Sequence, residues 1–295
     1  MALASGDIAG REPKTFGQRV SRALSSGPVH VFLIAVAIFW LTPTVGLLLT
    51  SFRSAADAGT SGWWTVFGEP RSLTLEPYQN LLSDEGMVQA LFNTIRISVP
   101  ASLLVVTFAA LAAYAFSWVE FRGREPLFLF TVALLVVPLQ MALIPAARVF
   151  NGLNLFGTVW AAIIFHIAFG LPFAIFLLRN FFVGIPPDLL EAARIDGASE
   201  WQIFRRIMLP LGMPAIASLL IFQFLWTWND LLVALTFASG EAAPLTVAIQ
   251  SQMRQFGASI DIIAPGAFLT MIIPLIVFFS FQRYFVQGVL AGSVK

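Results

Sequence analysis

Six stretches of the chain run for about twenty residues without a single Asp, Glu, Lys or Arg, the length an α-helix needs to cross the hydrocarbon of a bilayer. They are Val29 to Phe52, Ile97 to Trp118, Leu127 to Ala147, Leu153 to Leu178, Leu211 to Asn229 and Ile262 to Gln282. Each is too long for an ordinary strand, and none alternates as an outer-membrane barrel strand must. Only 11% of the 295 residues are charged against 58% hydrophobic, so soluble domains of this length would lack the side chains to cover their cores. The expectation is an all-α polytopic membrane protein with six transmembrane helices.

The basic residues give this bundle a direction, because Lys and Arg of short loops stay on the cytoplasmic side. Twelve of the 17 fall in the N-terminal tail, the second–third and fourth–fifth connections and the C-terminal tail, against five on the opposite side. Both termini are therefore expected in the cytoplasm. The division that follows is a cytoplasmic tail over 1–28 and a transmembrane domain over 29–295. That domain includes a long extracytoplasmic segment (53–90), a cytoplasmic loop (181–210) and a C-terminal tail (283–295). The apolar run after residue 28 is too long for a signal-peptide core, so it reads as a retained first helix. A net charge of +1 gives no reason to expect nucleic acid, and the absence of Cys removes thiolate metal sites, redox motifs and thiol nucleophiles.

The loop Phe181 to Pro210, FFVGIPPDLLEAARIDGASEWQIFRRIMLP, carries the strongest local pattern. Pro186 and Pro187 stop the fourth span; Asp188, with Glu191 three residues on, has the spacing of an N-terminal cap. Gly197 offers a position free to take positive φ, and Ser199 with Gln202 repeats the capping spacing for a second helix that Pro210 is expected to end. The prediction is a helix–turn–helix hairpin. Its second helix spaces Trp201, Phe204 and Ile207 or Met208 as an apolar stripe, with Arg205 and Arg206 facing elsewhere. From the residues alone, the stripe serves a partner protein, packs on the ends of the chain's own helices or lies in the membrane interface.

The series Glu191-Ala192-Ala193, three residues, Gly197, nine residues, Ile207, one residue, Leu209-Pro210 resembles the Glu-Ala-Ala loop of ATP-binding-cassette (ABC) importer permeases, with every fixed position filled. Asp196-Gly197-Ala198, Trp228-Asn229-Asp230 and the ending QRYFVQGVLAGSVK further resemble the maltose-type carbohydrate branch, in particular the second of its two unlike permease subunits. The resemblance implies a type I importer permease in a bacterial inner membrane. It also implies a coupling helix docked in a groove of an ATPase subunit, with Glu191 pairing a basic group there. Gly288, Gly292 and Lys295 of the tail would reach the ATPase dimer. Implied partners are that dimer, an unlike permease, an extracytoplasmic solute-binding protein and a di- or oligosaccharide such as an α-glucoside. No phosphate-binding Gly-rich loop occurs in the chain, so Mg-ATP is expected on the partner and no cofactor here.

Polar residues within spans point to a path or to helix contacts. Gln223, Thr227 and Asp230, spaced by four and three with Trp226 beside them, offer the hydrogen-bonding groups and aromatic face that a saccharide needs; tying span five to its neighbours is the competing reading. Asn93 and Arg96 read as interfacial anchors or subunit contacts, and His166 as hydrogen-bonded to a neighbouring helix. Prolines 43, 100, 138, 145, 172 and 274 are compatible with kinks around a central cavity. No catalytic constellation emerges, and the chain reads as a transport subunit rather than an enzyme. Rival readings are an importer permease for glycerol-phosphate-type solutes and an ion-coupled secondary carrier.

Overall fold

Apolar runs of this length satisfy their backbone polar groups internally, and the chain does so as helices. The computed structural model describes the backbone of residues 16–255 and 260–293, with side chains over 27–253 and 260–282. In chain order the helices are α1 (Phe16–Thr50), α2 (Ala55–Thr60), α3 (Glu76–Ser83), α4 (Glu85–Trp118), α5 (Arg124–Ala133), α6 (Leu139–Gly152), α7 (Val159–Phe182), α8 (Pro187–Ile195), α9 (Glu200–Ile203), α10 (Leu209–Trp228), α11 (Leu232–Phe237), α12 (Leu245–Gln255) and α13 (Ile260–Ser293). Extended pairing among the described residues amounts to one isolated bridge, Arg53 to Leu73. α1 already begins at Phe16, so part of the stretch assigned to the N-terminal tail continues the first helix.

Five unbroken helical runs are long and apolar enough to cross a membrane, and a sixth span exists only if α5 and α6 count as one. These two meet at a bend of 102°. The expected third span, Leu127 to Ala147, is thus a broken one. Val137 and Pro138 both take extended backbone at the break, with ψ of 117° and 132°. Proline has no amide to donate back and disfavours helical conformation in the residue before it.

The bundle is built around α4 and α7, its most extensively packed pair. Along α4, Ile97, Ala101, Val105, Ala109 and Ala113 recur every fourth residue and are all buried. Four of the five are Ala or Val. Small side chains on one ridge let two backbones approach closely, which is how helices associate when lipid supplies no hydrophobic drive. Opposite them lie Ala162 and Ile163 at one end of α7, and Ala174, Leu178 and Phe182 at the other. α10 and α13 complete the bundle, whereas α1 keeps Phe32, Phe39 and Trp40 largely exposed, as a helix facing acyl chains would.

The long segment 53–90 folds back as a small helical cap, and Arg53 is its buried centre at 2% exposure. Its guanidinium donates to the Ser61 carbonyl at 2.9 Å, the Asp57 carbonyl at 2.7 Å and the Ser61 hydroxyl. Backbone oxygens thus compensate a cation that would otherwise be costly to bury. The Trp63 ring lies on α1 at Gly46, where an added Cβ would stand 2.8 Å from the indole nitrogen. Asn93 is an internal tether rather than an interfacial anchor: it is 1% exposed and donates to the Glu241 and Ala243 carbonyls at 2.7 and 3.1 Å. Arg96 is exposed.

Candidate functional site

The 181–210 loop forms the expected hairpin, with two local corrections. α8 starts with Pro187 in its first turn and Pro186 preceding it, and no side chain caps it. Asp188 is therefore not a cap; it sits in the first turn, where a carboxylate complements the helix dipole. Gly197 takes φ of 81°, and the amides of Gly197 and Ala198 return to the carbonyls of Arg194 and Ala193 at 3.0 and 2.9 Å. That is a left-handed helix ending, the geometry glycine adopts without a steric penalty. The Ser199–Gln202 capping box is present in full.

The second correction concerns Pro210, which does not end the second helix. From Glu200 to Trp228 the chain is one helical run. Phe204–Met208 is wound as a π-segment and passes directly into α10, with proline in α10's first turn. Pro210 has no amide to donate, so the wider π-turn before it accommodates a residue that would otherwise break the α-ladder.

The stripe on this second helix divides between two environments. Phe204 and Met208 are buried in the chain's own bundle with Leu190 and Ile203, and Ile207 and Leu209 pack partly against them. Trp201 stays 60% exposed. Its exposed neighbours on the hairpin include Ile195 at 85% and Leu189 at 46%, with Glu191, Ala192 and Asp196. Ala193 and Ala198 are half-buried and back onto the core. Arg205 and Arg206 are exposed, as their positions in the sequence required.

A polar bridge that the sequence did not reveal closes the hairpin. Arg194, at the end of α8, donates to Glu200 Oε1 at 3.0 Å across the Gly197 turn and to the Trp118 carbonyl at the end of α4 at 3.1 Å. The Tyr114 hydroxyl of α4 donates to Glu200 Oε2 at 2.5 Å. The hydrogen bond that Arg194 donates to Glu200 raises the already high pKa of its guanidinium. Trp118 in turn donates its indole N–H to the Phe182 carbonyl at the end of α7 at 3.1 Å. Opposite charges six residues apart around a glycine were the one available signal; the tyrosine lies 86 residues away.

The second group of expected residues lies at mid-bundle. Gln223 and Thr227 are 3% and 4% exposed and within 3.5 Å of one another on α10. Gly170 of α7 makes room for the Gln223 amide, which would lie 3.0 Å from a Cβ there. Gln223 and Trp226 border a cavity of about 630 Å³ walled by Phe150, Phe165, Phe169 and Phe173 and by the break between α5 and α6. Asp230 does not continue their helical face, because α10 ends at Trp228. Its carboxylate instead accepts from the Val233 and Ala234 amides of α11 at 3.3 and 2.9 Å and lies 3.7 Å from His166 Nε2. His166 is 1% exposed and packs edge-on against Trp226; its Nδ1 has no partner. Gly288, Gly292 and Lys295 lie outside the residues whose side chains are described.

The osmoprotective compounds uptake permease protein GgtD of Synechocystis sp. is 47% identical over 91% of this chain and 92% of its own length. The alpha-glucoside transport system permease protein AglG of Rhizobium meliloti is 44% identical over 84% of this chain and 67% of its own. A solved chain of a bacterial ABC transporter involved in import of the acidic polysaccharide alginate superposes with a TM-score of 0.73 at 25% identity, covering 92% of this chain and 99% of that one. Residues 105–291, which include the hairpin, the bridge and the cavity-bordering α10, match the family of binding-protein-dependent transport system inner membrane components, and the chain belongs to that family of ABC importer permeases.

Proposed function

We propose that this chain is one of two unlike permease subunits of an ATP-driven importer for a neutral di- or oligosaccharide, of which α-glucosides are the leading class. The observation that carries the reading is the preorganised hairpin: a glycine-closed turn presents Leu189, Ile195 and Trp201 to solvent beside Glu191. Exposed apolar and acidic groups on a rigid turn suit a groove in a partner protein. In this reading that partner is a cytoplasmic ATPase dimer, which binds and splits Mg-ATP. Glu191, Ala192, Asp196, Gly197 and Trp201 form the docking face, Ala193 and Ala198 back it against the core, and Phe204, Ile207, Leu209 and Pro210 join it to span five. The tail residues Gly288, Gly292 and Lys295 would add contacts to the same dimer. Both termini then lie in the cytoplasm, and a binding protein delivers the sugar at the opposite face.

Gln223, Trp226, Thr227 and Asp230 belong to the pathway in two ways. Gln223 and Trp226 border it, and Thr227 and Asp230 hold the side chains around it. Four phenylalanines, one indole and one amide suit the apolar faces and hydroxyls of a sugar ring, and the cavity lining includes no Lys or Arg for an anionic cargo. The name of one relative, an alpha-glucoside transport system permease protein, supports the same class. The test is reconstitution of the co-purified complex in proteoliposomes with its binding protein and labelled trehalose, sucrose or maltose. Uptake should require ATP and stop with vanadate; uptake that survives vanadate and collapses with a protonophore would make the chain a secondary carrier.

A further inference from the structure

Apolar packing and polar bridging do different jobs at the root of the hairpin. Leu190, Ile203, Phe204 and Met208 hold it against α4 and α7, but contacts among apolar side chains are non-directional and let one element slide or rotate on another. A carboxylate that accepts from two fixed donors has one position. Glu200 has two donors on two different elements: Arg194, at the end of α8, and Tyr114, whose ring is buried in α4 against Phe204 at 5.3 Å. Arg194 is fixed in turn by the Trp118 carbonyl, and Trp118 by the Phe182 carbonyl. Glu200 thus closes a chain of hydrogen bonds from the docking helix to the ends of both central spans, across the single left-handed residue of the hairpin. The Glu200 and Arg194 side chains are themselves 47% and 37% exposed, so the bridge lies at the rim of the hairpin root, and the buried Tyr114 anchors its inner side.

We infer that Glu200 is a positioning residue of the transport cycle, locking the docking hairpin to spans two and four so that movement of the ATPase groove reaches the pathway instead of being absorbed at the Gly197 turn. This rests on the coupling role proposed above. The apolar contacts keep the hairpin attached when the bridge is cut, which separates attachment from transmission and makes the role measurable.

The experiment uses the complete reconstituted complex and measures ATP hydrolysed and sugar imported in the same proteoliposomes. With Glu200→Ala the ATPase subunits should still co-purify and hydrolysis should stay within about twofold of the unmodified complex, while uptake falls by roughly tenfold, a coupling loss of ordinary allosteric size. Glu200→Gln, which keeps one acceptor for the tyrosine, should lie between the two. Tyr114→Phe removes a single hydroxyl from the same bridge and carries the test if Glu200→Ala does not assemble; it should shift the ratio of hydrolysis to uptake in the same direction. Equal falls in uptake and hydrolysis, no change in either, or release of the ATPase by Tyr114→Phe would overturn the inference. An unmodified complex with no ATP-dependent uptake would instead overturn the proposed function, and it would do so before any variant is made.

Discussion

Gly197 allows the hairpin geometry to be tested with numbers taken from its own backbone. Its φ is 81°, and a Cβ built there meets nothing within 4 Å. The penalty for any other residue is therefore conformational rather than steric. A left-handed L-residue costs about 1–2 kcal/mol, which reduces the population of this turn by roughly five- to thirtyfold relative to any competing loop conformation. If docking selects the observed turn, the apparent Kd for the ATPase rises by the same factor at most. Gly197→Ala should show that loss and Gly197→Val a larger one, because a β-branched residue is the poorest fit to positive φ. Gly197→Asn should recover much of it, since asparagine visits this region readily. The assay is titration of the purified permease pair with its ATPase subunit, with uptake measured alongside. Equal affinities for Ala, Val and Asn would refute the argument, and so would a loss that followed side-chain volume with Asn weaker than Ala.

Three further predictions test the packing and the break. At Gly212 an added Cβ would stand 2.6 Å from the fully buried Phe182 ring, so Gly212→Val should destabilise the bundle by about 1–3 kcal/mol; Gly27→Val, with open space around it, serves as the helical control in a detergent melting assay. Asn93→Leu strips the Glu241 and Ala243 carbonyls of their donor, worth about 1–3 kcal/mol, and should speed amide exchange over residues 238–247. Thr94→Val, which loses the acceptor for the Leu245 amide, should act on the same stretch, and unchanged exchange in both would remove the tether from the account. Pro138→Ala restores an amide and a residue about 3 kcal/mol better suited to a helix interior, so spin labels at 130 and 145 should move apart toward the roughly 22 Å of a straight helix. An unchanged distance would assign the bend to packing around the cavity rather than to the proline.

What was legible in the sequence was what acts over a whole span or within one turn. Freedom from charge over about twenty residues marked the membrane segments because burying a charge there is expensive at every position. The capping box at Ser199 and the turn at Gly197 were legible because their partners lie within a few residues. Proline was ambiguous. Val99-Pro100 lies inside the unbroken α4 and Val137-Pro138 at a break of 102°, so the dipeptide permits a break without dictating one. The stripe of Trp201, Phe204 and Met208 was visible as a stripe, but periodicity says only that a face is apolar, not what covers it. Asp230 was assigned to a helical face that ends two residues earlier, and its carboxylate caps the next helix instead. The Tyr114–Glu200 contact joins residues with no local relation and was beyond any reading of spacing.

The continuity of span five past Pro210 changes what the two candidate regions can mean to each other. With a helix end at Pro210, the hairpin and Gln223 would belong to separate bodies joined by a joint. Instead the helix begins at the Ser199 cap, winds through the π-segment and runs to Trp228, so Trp201 and Gln223 stand on one run of helix about 33 Å apart. Displacing its exposed end therefore displaces its cavity end, except for whatever twist the π-segment absorbs. Gly170 and Gln223 add the receiving contact: the amide presses on the α7 backbone with no side chain between them, so little relative movement is possible there without repacking. A hairpin locked by Glu200 at one end and a helix seated on Gly170 at the other is what the proposed importer requires if force applied at Glu191 and Trp201 is to alter a cavity at Gln223 and Trp226.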